Sequence, residues 1–158
     1  MNNLVLNTSP LILLVKTKLD WILPELAKCI VVPYAVVNEI RAHPSDQIAV
    51  YLETLDYLKV VTVESQDIVL QWDVGKGESA AISYAYTHKN FRPVLDDSAA
   101  KLCSFALGIT PLGTGSLLIE AKRKGLIPFV GKALEEMRNN GMWISDNIIQ
   151  MLAQKAGE

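Results

Sequence analysis

Short β-branched apolar runs alternate with stretches of helical periodicity along this chain, and that alternation most limits what it can fold into. Leu4, Val5 and Leu6 read as a strand, and Ser9-Pro10 opens a helix with Ser9 as N-cap and Pro10 at the first helical position. Residues 30–32 are Ile-Val-Val, β-branched and too few for a buried helix, so they read as a second strand. Pro33 starts the next helix, with Val36, Val37 and Ile40 on its apolar face, and residues 46–57 continue helical. Residues 60–63 are an edge strand or an extended connector.

The pattern then repeats. An alanine-rich helix over 77–88 precedes a strand over 92–95 that ends at Asp96, and a helix over 98–107 is closed by Gly108. Residues 109–112 read as the last strand, 113–115 as a tight turn, and 116–124 as a helix stopped by Gly125. Two further helices follow near 132–139 and 145–154. Strands and helices alternating at this length indicate βαβ units around a parallel sheet, with right-handed crossovers placing helices on both faces. The expectation is one domain over 1–158 with a C-terminal helical pair at about 129–156. The apolar residues of that pair (Leu134, Met137, Trp143, Ile144, Ile148, Met151, Leu152) need a surface to cover, either the sheet or a partner chain.

Composition narrows the function classes. With 50% hydrophobic and 20% charged residues among 158, the chain can bury a real core. A net charge of −2 argues against a purely electrostatic nucleic-acid binder, but not against an enzyme whose acidic site holds metal. Cys29 and Cys103 lack any C-x-x-C pairing, so neither a disulfide framework nor zinc is expected, and a reducing cytoplasm is the natural compartment. The N-terminal apolar stretch has no basic flank and is cut at Asn7 to Pro10, unlike a signal peptide. No apolar run approaches the ~20 residues that span a bilayer, so no membrane association is expected.

In an open parallel sheet, ligands bind beyond the carboxyl ends of the strands. There the chain places Asn7 after the first strand, Glu39 two turns into the helix after the second, Glu78 in the first turn of its helix, and Asp96-Asp97 after the strand at 92–95. Converging carboxylates repel unless a cation sits among them. All-oxygen donors suit Mg²⁺ or Mn²⁺, which can activate water against a phosphodiester. Each residue also has a plainer role. Asp96 or Asp97 can cap the helix at Ser98, Glu78 can face a helix dipole, Glu39 can be a solvated charge, and Asn7 can cap a turn. The paired aspartates are the strongest element, since one can cap while the other points into a cleft.

Weaker candidates surround these. Gly113-Thr114-Gly115-Ser116 has the look of a phosphate-cradling turn without the P-loop lysine, and is more simply a strand-to-helix turn; Thr114 or Ser116 can still orient a water. Arg41 and Lys76, near the acids in sequence, and the cluster Lys122-Arg123-Lys124 can meet a nucleic-acid backbone. His43 and His88 read as surface residues. Trp21, Trp72 and Trp143 are too scattered for a stacking platform and read as core or interface.

These segments resemble the PIN-domain family over nearly the whole chain. Leu-Asn-Thr-Ser-Pro-Leu-Ile (6–12) looks like its opening strand and turn, and Val-Val-Asn-Glu-Ile (36–40) like the helix with the second acid. Gly-Glu-Ser-Ala-Ala-Ile (77–82) looks like the third-acid helix, and Val-Leu-Asp-Asp-Ser-Ala-Ala-Lys (94–101) like the fourth-acid strand end. Residues 113–127, from Gly-Thr-Gly-Ser to Lys-Gly-Leu-Ile, are similar to a prokaryotic PIN subfamily related to VapC toxins. The resemblance implies a three-layer α/β/α sandwich with a central parallel sheet and a Mg²⁺- or Mn²⁺-dependent ribonuclease acting on RNA. It also implies a small antitoxin partner and a homodimer. Carried over by motif, the site is Asn7, Glu39, Glu78 and Asp97 with Asp96 beside them: the four acids form the catalytic set, and these with Asn7 are the metal donors. The residues read as substrate-binding are Ser9, Thr114, Ser116, Arg41 and Lys76. Asn7 departs from the aspartate typical of the family. It can ligate a metal through its amide oxygen but brings no charge, which leaves a catalytically weak or inactive PIN-like module, binding RNA or a protein, as the alternative. A receiver-like acidic pocket is a third reading, disfavoured by Asn7-Thr8 where paired acids belong.

Overall fold

The computed structural model describes residues 3–43 and 47–158. Four parallel strands, β1 (Asn3–Leu6), β2 (Ile30–Pro33), β3 (Leu58–Val61) and β4 (Phe91–Val94), form one sheet in the order β3-β2-β1-β4. Leu4 pairs with Ile30 on one side of β1 and with Arg92 on the other, and Leu6 pairs with Val94. The strand expected over 109–112 is a single parallel bridge, Leu112 to Val94. Two hydrogen bonds make it: Leu95 N–H to Leu112 O at 2.8 Å and Leu112 N–H to Pro93 O at 2.9 Å. Pro111 brings no N–H and Gly113 begins the next helix, so no longer ladder forms. The ambiguous segment is the edge strand β3, two residues earlier than read.

Side-chain alternation along the central strands sorts the core into two layers. Leu4, Leu6, Ile30, Val32 and Val94 face one way. They pack with α1 (Thr8–Lys16), α2 (Ile22–Leu26), α3 (Tyr34–Arg41), α8 (Thr114–Arg123) and α9 (Val130–Asn139). Val5, Val31 and Leu95 face the other way, against α5 (Asp67–Leu70), α6 (Lys76–Thr87) and α7 (Ser98–Ala106). Strands buried on both faces read as unbroken apolar runs, as these do. The result is the α/β/α sandwich. Among the described residues, no helix is long and apolar enough to cross a membrane.

Several boundaries move. Helix α1 starts at Thr8 with Asn7 as N-cap residue, so Ser9 is not the cap and Pro10 sits third, where its missing N–H is still harmless. Helix α4 (Ile48–Leu52) is far shorter than the stretch expected over 46–57, whose first residue lies outside the described residues. The short helices α2 and α5 carry no clear periodicity and were not legible. Helix α10 (Asp146–Lys155) is capped by the Ser145 hydroxyl, which accepts from Ile148 N–H at 3.3 Å. Leu134, Met137 and Ile149 of the C-terminal pair are buried, whereas Ile148 and Met151 stay exposed. None of the three tryptophans is core: Trp21 and Trp72 are partly exposed, and Trp143 exposes its whole side chain.

Leu6 is fully buried on β1 against the larger layer. Leu6→Ala is expected to lower unfolding free energy by about 2–5 kcal/mol, read from urea denaturation.

Candidate functional site

In the order β3-β2-β1-β4 the chain leaves β1 toward β2 on one side and reaches β4 on the other, so the crevice between β1 and β4 is the switch point of the sheet. Asn7 stands directly after β1 and Asp96 two residues after β4. A cleft of about 840 Å³ opens there. Asn7, Ser9, Glu78, Asp96, Asp97 and Ser116 line it together with Trp143 and residues of α10.

Asn7 is 2% exposed. Its Nδ2 donates to Glu78 Oε1 at 3.0 Å, while its Oδ1 is buried without any hydrogen-bond partner. Glu39 reaches the same spot from α3, behind the cleft lining. The Gly77 N–H donates to Glu39 Oε1 at 2.8 Å, and the Thr8 hydroxyl donates to Glu39 Oε2. A Cβ built on Gly77 would stand 2.7 Å from Glu39 Oε2 and 2.9 Å from Asn7 Oδ1. Acceptors from two elements therefore crowd one point that only a glycine leaves open. Gly75 does the same for Glu78, whose Oε2 lies 2.1 Å from where a Gly75 Cβ would be. The two glycines at the start of α6 are thus explained by close approach of carboxylates, not by turn geometry.

The paired aspartates divide their work. Asp97 is the N-cap of α7, its Oδ2 accepting from Ala100 N–H at 2.9 Å. Asp96 accepts from the Thr114 N–H at 2.8 Å and from the Thr114 hydroxyl at 2.5 Å. Both still line the cleft. Among the described residues, no three of His, Cys, Asp and Glu cluster closely enough to hold a metal ion by themselves. The close-set donors are instead Glu39, Glu78 and the Asn7 amide oxygen, with Asp96 and Asp97 further along the cleft.

Several expected substrate contacts fail. Thr114 is completely buried and its hydroxyl and N–H are spent on Asp96, so it can neither touch substrate nor cradle phosphate. Gly115 serves packing: a Cβ there would meet Leu152 Cδ1 at 2.7 Å. Arg41 is exposed away from the cleft and pairs with Glu53 at 3.1 Å. Lys76 is exposed at the start of α6 but does not line the cleft. In the basic cluster, Lys122 pairs with Glu158, Arg123 with Glu120, and Lys124 Nζ donates to Glu25 O at 2.7 Å. Ser9 and Ser116 do line the cleft.

Sequence reasoning missed Thr8, Gly75, Lys101 and Trp143. The signal for Gly75 was present, since two glycines flanking Lys76 at a helix start run against helix propensity. Lys101 lines the cleft one turn after Asp97, with its Nζ 3.3 Å from a Gly113 Cβ position. It forms none of the ion pairs found among the described residues.

The cap and the charge of Asp97 can be separated. Asp97→Ala is expected to cost about 1 kcal/mol and Asp97→Asn only a few tenths, because asparagine caps as well as aspartate. Urea denaturation of the two variants checks this.

A family model described as PIN domain matches residues 3–158. No curated protein matches as a relative. Among solved structures, the PIN domain endonuclease Utp24 is similar at a TM-score of 0.49 and 11% identity, over 64% of this chain and 75% of that one. With the match running over all but the first two residues, the chain belongs to the PIN-domain family.

Proposed function

We propose that this chain is a divalent-metal-dependent ribonuclease with its site at the carboxyl end of β1. The observation that carries the reading is the buried, unpartnered Asn7 Oδ1, set beside the Glu39 carboxylate. An orphaned buried acceptor costs about 1–3 kcal/mol, and an acceptor facing a carboxylate gains nothing back. A cation shared by Asn7 Oδ1, Glu39 and Glu78 relieves both penalties, and hard oxygen donors of this kind fit Mg²⁺ or Mn²⁺. The chemistry such an ion supplies is activation of a water and neutralisation of charge on the phosphodiester.

The chain's own residues do the rest. Thr8 and the Gly77 N–H fix Glu39, and the Asn7 amide fixes Glu78. Asp96, held in one orientation by Thr114, and Asp97, with one oxygen engaged by the cap, add carboxylate oxygens to the cleft that a divalent cation would neutralise. Ser9 and Ser116 offer hydroxyls to phosphate oxygens. The toxin half of a toxin–antitoxin pair is the setting implied by the family resemblance, with a small antitoxin and a second copy of the chain as partners.

A second reading has an observation of its own. Among the described residues no three acidic, histidine or cysteine side chains form a metal cluster, and the aspartates already serve Thr114 and the α7 N-terminus, so the module can bind RNA while cutting it poorly.

Asn7→Asp decides between the two readings. It adds the missing charge but removes the hydrogen bond to Glu78. Metal-free stability should therefore fall by about 1–3 kcal/mol while Mn²⁺-dependent cleavage of single-stranded RNA rises. Wild-type cleavage lost in Glu78→Gln supports the nuclease. Absence of cleavage in both wild type and Asn7→Asp, with RNA still bound, leaves the binding module. Gly77→Ala should keep the fold, as alanine is the better helix former, yet weaken Mn²⁺ binding by displacing Glu39.

A further inference from the structure

Trp143 is 101% exposed, at the mouth of the cleft that holds Asn7, Glu78, Asp96 and Lys101. Its tether is short and fixed at both ends. Met142 N–H bonds Met137 O at 3.0 Å to close α9, and Ser145 caps α10. Met142 and Ile144 on either side pack against the core, so alternation along the extended segment points the indole outward. An indole is a large apolar surface that water solvates poorly, and here it covers nothing in its own chain. The cleft lining also carries carboxylates, serines and Lys101, which forms none of the ion pairs found among the described residues. The cleft volume of about 840 Å³ falls in the range of ligand sites, roughly 300–1,000 Å³.

We propose that Trp143 is a base-stacking residue: it takes the face of an unpaired nucleobase next to a phosphate held through the proposed cation among the cleft carboxylates, while Lys101 meets the adjoining backbone. This rests on the nuclease reading for the identity of the ligand. A nucleobase suits the indole because it is flat and π-rich, and because Trp143 lines the same cleft as Asn7 and Glu78, where the proposed cation would neutralise the attached phosphate among the carboxylates. Exposed Ile148 and Met151 extend the apolar area beside Trp143, so a second copy of the chain seated there is the competing occupant that the test separates.

Binding, not cleavage, is the test. A labelled oligoadenylate of about ten nucleotides is titrated by fluorescence anisotropy, with Ca²⁺ as the cation, against wild type, Trp143→Ala and Trp143→Phe. Stacking on one aromatic contributes roughly 5- to 150-fold in affinity, so Trp143→Ala should weaken binding at least fivefold and Trp143→Phe should recover most of it. An all-abasic strand of equal length should bind wild type and Trp143→Ala alike. Equal affinity of wild type and Trp143→Ala for the base-bearing strand overturns the proposal, as does equal weakening with the abasic strand, or no binding by wild type. It is also overturned if Trp143→Ala abolishes a concentration-dependent dimer and leaves oligonucleotide affinity alone. A protein that stacks the base in this way yet never cuts with Mn²⁺ sinks the nuclease reading and leaves this one standing; cleavage with no effect of Trp143 does the reverse.

Discussion

Asn7 gives one end of its amide to Glu78 and leaves the other, unpartnered and buried, beside Glu39. Much of the local structure exists to tolerate that arrangement. Two glycines clear space for carboxylates at the start of α6, and a backbone N–H and a hydroxyl hold Glu39 in place. An aspartate at position 7 would bring more charge for a cation but would set a third carboxylate among two, with no donor between them. On the proposed reading, asparagine trades ion affinity for a site that holds its shape without the ion.

That meeting of residues 7, 39 and 78 is a product of topology. Because β1 lies between β2 and β4, the segments leaving its end meet those leaving β4, and α3 and α6 pack against each other beside them. The same placement puts Asp96 and Asp97 along the cleft, but their immediate energetics are structural. One caps a helix, and the other anchors the turn into α8 by gripping Thr114. Their charges still face the cleft, so each can serve stability and site together.

The sandwich was legible because its two central strands, β1 and β2, are buried on both faces and so read as leucine or β-branched runs, such as Ile30 to Val32, between helices. Glu39, Glu78 and the paired aspartates were legible as acids placed at strand ends. What could not be read was which oxygen each acid spends on its neighbours. Thr114 looked available until burial and the Asp96 bond removed it, and Arg41 looked close to Glu39 until Glu53 drew it away. The strand at 109–112 failed because one apolar run is a weak claim to a ladder when Pro111 and Gly113 interrupt it. Trp143 read as core or interface; the fixed segment between α9 and α10 turns it outward and rules out the core.

The cleft therefore gathers carboxylates near the ends of β1 and β4 together with Trp143 from the segment between α9 and α10, and the proposal that gives it a chemistry is that Asn7, Glu39 and Glu78 share a cation. Calorimetric titration of Mn²⁺ into wild type and a Glu39→Gln/Glu78→Gln double variant, both shown folded by circular dichroism, tests it directly. Binding at one site per chain, lost in the double variant, is the predicted result. Equal binding by both proteins, or none by wild type, would contradict it.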